Sequence, residues 1–445
     1  MTFARRQGLL ALVSTVAVAG SLVTAQRIVA RHAWRLDLTP DHRYVLSAHA
    51  VRALADLPRD VLVTAFVRAD DPRNRDLADL LRQIGAASDH VRSRTLDVNR
   101  NPAVARQYGI GAYGSLVVES DGRQKVVVNP DEGALVGAIR QVTRPQPRVY
   151  VLTGHGERNI EDADRQQGYS MAKAALQEEQ YEVRPLTTLA EHGVPEDASV
   201  VIIAAPRSDL LASELLQLDA YLRRGGALLV LLDAATETPS LIGLLRRYGI
   251  EVSNLVVLDP DNRLFAGDYL TMVIPQRAAE HPVSAALRAA PLMSQVRAVA
   301  RSGTAGVELL RSSPQSWGTA DRGVLRTGIA EFDQQHDAPG PLPVGVAVGG
   351  DRGTAGRLLV YGDSDFATNF FLDYLGNRDL WLNSVNWLAG EEMLIGSREP
   401  AKTPGVNQFF LSARQGRLIF WLGTVVQPAI VLLAGAVVLW VRRQE

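Results

Sequence analysis

The chain contains no cysteine in 445 residues. Disulfides, thiolate metal sites, iron–sulfur clusters and cysteine nucleophiles are excluded together. No Gly-x-x-x-x-Gly-Lys-Ser/Thr loop exists to cradle nucleotide phosphates, so the chain does not hydrolyse ATP by that route. Its eight histidines form no His-x-x-x-His or His-Glu-x-x-His pair, and no Gly-x-Ser-x-Gly elbow presents a serine. Charge of one sign is lacking too. With 47 basic and 48 acidic residues the net charge is −1, and no long basic run offers a footprint for nucleic acid. The sequence assigns no catalytic residue, metal site or cofactor.

What is present is a polar middle between two apolar ends. Arg5 and Arg6 precede an apolar stretch from Gly8 to Ala25, long enough to cross a bilayer. A cleaved signal peptide competes with this reading, because Ala17-Val18-Ala19 fits the small-residue cleavage pattern. The stretch running on past that site favours a retained anchor, 1–35 with its juxtamembrane part. At the other end, 418–441 is uncharged, with Trp421 and Trp440 near its limits and Arg442-Arg443 directly after it. Both terminal arginine pairs favour cytoplasmic tails and an extracytoplasmic, periplasmic middle at a bacterial inner membrane. Arg27, Arg31, Arg414 and Arg417 oppose this, but they flank a loop long enough to cross regardless of charge. Membrane lipid is thus an expected partner of two transmembrane helices.

Between the spans two α/β regions are expected, 36–144 and 148–397, with a linker over 398–417. In the first, Val61–Val67 reads as a strand, Asn74–Ala87 as an amphipathic helix, and Val91–Val98 as a strand. Pro102–Tyr108 follows as a short helix capped by Asn101. A hairpin turns at Asp121-Gly122, and a last helix spans Glu132–Val142. This order resembles a thioredoxin-like domain, and Asp97–Gly109 is similar to the segment leading to that fold's active-site proline. Here Gly111-Ala112-Tyr113-Gly114 stands at the proline position and no Cys-x-x-Cys exists, so the resemblance implies a redox-dead scaffold.

After Arg144-Pro145-Gln146-Pro147, continuous apolar strand runs alternate with helices. The runs are Arg148–Thr153, Val200–Ala205, Ala227–Asp233 and Arg357–Gly362. Such runs predict a mainly parallel sheet covered on both faces. The layout resembles flavodoxin-like and glutamine-amidotransferase-like folds, without the cysteine of the latter. These sheets gather ligands at the carboxyl ends of their strands. At those ends stand Gly154, His155 and Glu157; Arg207; Asp233; and Asp363, Ser364 and Asp365, with Asn369 nearby. Together they are the candidate ligand-binding residues of one cleft. His155 and Glu157 could bind a metal or act as base and partner, yet a tight turn satisfying its own backbone is the favoured reading. Asp363 and Asp365 could divide acid and base work, but capping the following helix explains them better. Asp259-Pro-Asp-Asn262 has turn chemistry without the rest of a calcium loop.

Four segments together resemble the GldG-like auxiliary proteins of ABC transport systems, named for a gliding-motility component. They are Leu38-Thr39 with Tyr44–Ser47; Val151–Glu157; Ser313–Gly318; and Tyr361–Phe366 with Gly376–Asp379 and Asn386–Glu391. The resemblance implies a non-enzymatic, substrate-binding-type subunit working beside an ABC permease and a separate ATPase. A free-standing module for a glycan or small ligand is the alternative, and a hydrolase using His155, Glu157 and Asp365 a minor one.

Overall fold

The computed structural model describes residues 20–21, 46–68, 70–71, 73–110, 112–128, 130–187, 189–263, 268–304, 306–350, 356–396 and 413–442. The chain divides into two compact units, 1–143 and 144–445.

In the first unit the apolar run Val61–Val67 (β1) lies parallel to Val91–Asp97 (β2) and antiparallel to Ser115–Ser120 (β3). Strand β3 turns back into Arg123–Val127 (β4), giving the order β2-β1-β3-β4. Asp121 and Gly122 both take left-handed φ values, 46° and 78°, as a two-residue hairpin turn requires. Helix Ala48–Ala55 begins at Ser47, whose hydroxyl accepts the Ala50 N–H at 3.1 Å. Helices Asn74–Ala87, Pro102–Gln107 and Glu132–Thr143 complete the unit. Asn101 does not cap as expected: its side-chain amide donates to the Asp97 carbonyl instead.

The second unit is built on eight strands, which lie side by side in the order Gln276–Arg277, Val307–Arg311, Pro343–Gly349, Arg357–Tyr361, Ala227–Leu231, Ala198–Ala204, Arg148–Leu152 and Glu182–Leu186. Arg148–Leu152 (β5), Glu182–Leu186 (β6), Ala198–Ala204 (β7) and Ala227–Leu231 (β8) form its parallel half, together with Arg357–Tyr361 (β18). Ile250–Leu258 (β9), Thr271–Val273 (β10), Gln276–Arg277 (β11), Leu292–Ser294 (β12) and Arg297–Arg301 (β13) come next in sequence. Val307–Arg311 (β14), Trp317–Thr319 (β15), Ala338–Pro339 (β16) and Pro343–Gly349 (β17) follow. The sheet is therefore mixed rather than mainly parallel. Strand β17 reaches β18 through residues 350–356, too short a connection for a parallel crossover, so the two pair antiparallel. Strands β14 and β11 extend that antiparallel edge. A second sheet is antiparallel throughout, in the order β13-β9-β15-β16.

The two sheets meet where Arg297 N–H donates to the Gly362 carbonyl at 2.7 Å. A Cβ on Gly362 would lie 1.8 Å from the Arg297 carbonyl, so no side chain fits there. Helix Asn377–Leu388 is buried although rich in polar residues, because each has a partner. Asn377 exchanges hydrogen bonds with the Leu292 backbone, Ser384 pairs with Tyr361, and Asn386 joins Tyr181 to Glu179.

The apolar stretch near the amino terminus falls outside the described residues except at Gly20 and Ser21. At the carboxyl end Ala413–Trp421 is helical, Leu422–Val426 is a π-turn, and Gln427–Arg442 is helical again. Within it, the 19 residues Leu418–Ala436 are long and apolar enough to cross a membrane, and none is buried.

Candidate functional site

Strands β5, β7, β8 and β18 end side by side, and the loops after them carry the polar residues that the sequence points to. After β5 the chain makes a glycine turn, with Gly154 at φ 127° and Gly156 at φ 79°. A Cβ on Gly156 would press on the Arg207 side chain at 3.1 Å, so glycine lets the loops after β5 and β7 approach closely. The His155 carbonyl accepts the backbone N–H groups of Arg207 and Ser208 at 2.8 and 3.0 Å, tying those two loops together.

The His155 ring lies between two carboxylates. Its Nδ1 is 3.0 Å from Glu157 Oε1 and its Nε2 is 2.9 Å from Glu214 Oε2. Glu157 turns back to accept the His155 backbone N–H at 2.7 Å, and its side chain is 1% exposed. Glu214 accepts the Leu211 N–H at the start of helix Ala212–Arg223. A ring facing a carboxylate at each nitrogen donates to both only when doubly protonated. Both carboxylates thus have a partner inside the protein.

The same turn sends Arg158 in another direction. Its Nη2 contacts Asp365 Oδ1 at 2.5 Å and Asp233 Oδ2 at 3.6 Å, and its Nε donates to Ser364 Oγ at 3.2 Å. Asp233 accepts the Ser364 N–H at 2.8 Å. Fully buried Asp363 accepts the N–H groups of Asp365 and Phe366, both at 3.0 Å, and so caps the 3-10 turn Asp365–Ala367. Tyr169, buried against Trp381, donates to the Ser364 carbonyl. Burial works against the Arg158 charge, but Asp365 and Asp233 outweigh it and raise the guanidinium pKa. Burial also pushes the Asp365 carboxyl up to about 6, with Asp233 adding to the rise and Arg158 opposing it. Asp363 is raised well above the carboxylate range by burial and by both neighbouring carboxylates. In Asp365 the tight contact with Arg158 and the raised pKa pull in opposite directions. Burial beside a second carboxylate outweighs one guanidinium that Asp365 must share.

The remaining expected residues are structural in their contacts. Asn369 donates to the carbonyls of Asp162 and Asp164 and accepts the Met171 N–H, so it brackets the loop before helix Ser170–Glu178. Arg207 is exposed and reaches Gln167 at 3.2 Å. The structure thus forms two adjoining networks, His155–Glu157–Glu214 and Arg158–Asp233–Ser364–Asp365, linked through the Gly154–Arg158 turn. Sequence reasoning missed Arg158 and Glu214. The only local signal for Arg158 was its place directly after the Gly-His-Gly-Glu turn. Glu214 reads as an ordinary first-turn helix acid. Among the described residues no group of three or more histidine and acidic side chains is placed to hold a metal ion. Asp259 accepts the N–H groups of Asp261 and Asn262 within its own turn and that of Ser313 from a distant segment.

Residues 146–386, more than half of the chain, match the family described as an ABC-type uncharacterized transport system. No curated protein matches the sequence. Among solved structures the mmIFT52 N-terminal domain is similar at 17% identity and a TM-score of 0.40, over 54% of this chain and 97% of that one. A ThuA-like protein from Parabacteroides merdae is similar at 14% identity and a TM-score of 0.39, over 61% of this chain and 96% of that one. Mitochondrial thioredoxin 3 from Saccharomyces cerevisiae is similar at 22% identity and a TM-score of 0.18, over 19% of this chain and 80% of that one.

Proposed function

Because the chain belongs to this family of auxiliary ABC transport components, we propose that it is a non-enzymatic, GldG-like subunit anchored in the bacterial inner membrane. In this reading two transmembrane helices, both tails cytoplasmic, hold the regions 36–144 and 148–397 on the periplasmic side. There they engage an ABC permease, and through it a separate ATPase. The observation that carries the non-enzymatic part is the saturation of the strand-end residues. His155, Glu157, Asp233, Asp363, Ser364, Asp365 and Asn369 are each held by partners within their own unit. In this reading their hydrogen bonds serve to hold the strand-end loops together. The strand order β2-β1-β3-β4, with one parallel and two antiparallel pairings, supports a thioredoxin-like first region serving as a scaffold without redox chemistry.

Purification of the tagged full-length protein from its native membrane, followed by mass spectrometry, tests the reading. A permease and an ATPase are expected alongside it. Recovery of the folded chain alone would overturn the subunit assignment and turn attention to the glycan or small-ligand alternative.

A further inference from the structure

The exposed helix Leu418–Ala436 is not uniformly apolar. Gln427 lies within it, and its carboxamide makes no hydrogen bond among the described residues. A carboxamide offers two donors and one acceptor oxygen, and hydrocarbon chains satisfy none of them. Immediately before it the backbone departs from the α-helix. In the π-turn Leu422–Val426, the Gln427 N–H donates to the Leu422 carbonyl, five residues back. The next step of that ladder would bring the N–H of residue 428 to the Gly423 carbonyl. Residue 428 is proline and has no N–H to give. Gly423 has no side chain to shield its carbonyl, and even a Cβ there would meet nothing within 4 Å. Among the described residues, this short stretch of the helix therefore has a carbonyl without its helical donor and a carboxamide without a hydrogen bond.

An unmet acceptor and an unmet donor on one helix are self-complementary. A two-fold axis along the membrane normal brings the Gln427 of each copy towards the Gly423 carbonyl of the other, an isologous contact. Membrane helices associate through such pairings of small residues with side-chain amides. We propose that Leu418–Ala436 is a homodimer contact, in which each Gln427 carboxamide donates to the Gly423 carbonyl of a second copy of this chain. The contact requires the helix to lie in a bilayer and does not depend on the transporter reading. From Gln427 onward the regular helix places Val431 and Ala434 on the Gln427 side and Ala429 and Ala436 opposite.

The absence of native cysteine makes disulfide mapping free of background. The purified full-length chain, reconstituted alone in phosphatidylcholine vesicles, would carry one cysteine at a time: Val431→Cys, Ala434→Cys, Ala429→Cys or Ala436→Cys. On mild oxidation, covalent dimers are expected from the first two and not from the last two. Gln427→Leu, which keeps the helix apolar and able to insert, should weaken dimerisation by roughly three- to thirtyfold in a fluorescence-transfer dilution series. Equal cross-linking at all four positions, a monomer at every lipid dilution, or no effect of Gln427→Leu would each overturn the proposal. Cross-links that run to a different polypeptide in native membranes would do the same.

Discussion

Arg158 and Asp365 lie 207 residues apart in the chain, and their side chains meet at 2.5 Å beyond the carboxyl ends of β5 and β18, parallel strands separated in the sheet by β7 and β8. Arg158 contacts Asp365 and Asp233 directly, and Asp363 adds to the negative field around it.

Removing that cation should be costly. Arg158→Met leaves the buried carboxylates without their counter-charge, and loss of one partner of a buried pair destabilises by about 3–5 kcal/mol. Urea unfolding of the detergent-solubilised protein, followed by tryptophan fluorescence, should show the midpoint fall. An unchanged midpoint would mean that solvent, and not Arg158, compensates these acids.

The raised Asp365 gives a pH signature. An acid whose pKa is higher in the folded than in the unfolded state binds its proton more tightly when folded. Its contribution therefore favours folding as pH falls from about 6 towards the ordinary 3.8, and is lost as pH rises. Across that window the stability difference between wild type and Asp365→Asn should shift in favour of wild type by about 1.4 kcal/mol per pH unit. Above pH 7 the difference should be flat. A difference independent of pH throughout would show that Asp365 titrates normally.

His155 should matter for stability and not for turnover. His155→Leu strands Glu157 and Glu214, both nearly inaccessible to solvent, and should cost about 3 kcal/mol or more. Ester, amide and glycoside panels should show no activity in wild type or in Glu157→Gln. Hydrolysis present in wild type and absent from Glu157→Gln would favour the hydrolase reading.

Asn369 should control a loop. Its three backbone hydrogen bonds hold residues 162–171, and each contributes about 1 kcal/mol. Asn369→Ala should speed amide hydrogen exchange over 162–171, while β7 and β8 stay protected. Exchange unchanged at that loop would mean that the loop holds itself.

The sequence by itself determined the local elements. Val200–Ala204 and Leu228–Leu231 are continuous apolar runs of the length that a strand buried on both faces accommodates, and the structure buries every one of them. The Asp121-Gly122 turn was legible because left-handed backbone selects those residues. The residue types at the strand ends were legible too, as loops after parallel strands collect polar groups. Tertiary structure decided the rest. Whether β14 and β17 join the sheet parallel or antiparallel depends on which strand each meets, and no periodicity encodes a neighbour. Arg158 and Glu214 carry no local pattern, and their roles come from partners contributed by distant segments: Asp233 and Asp365 for Arg158, His155 for Glu214. A side chain's charge is written in the sequence, but the field it feels is set by whatever the fold brings within a few ångströms. The same carboxylates that could have formed an open cleft are instead closed by a guanidinium and an imidazole.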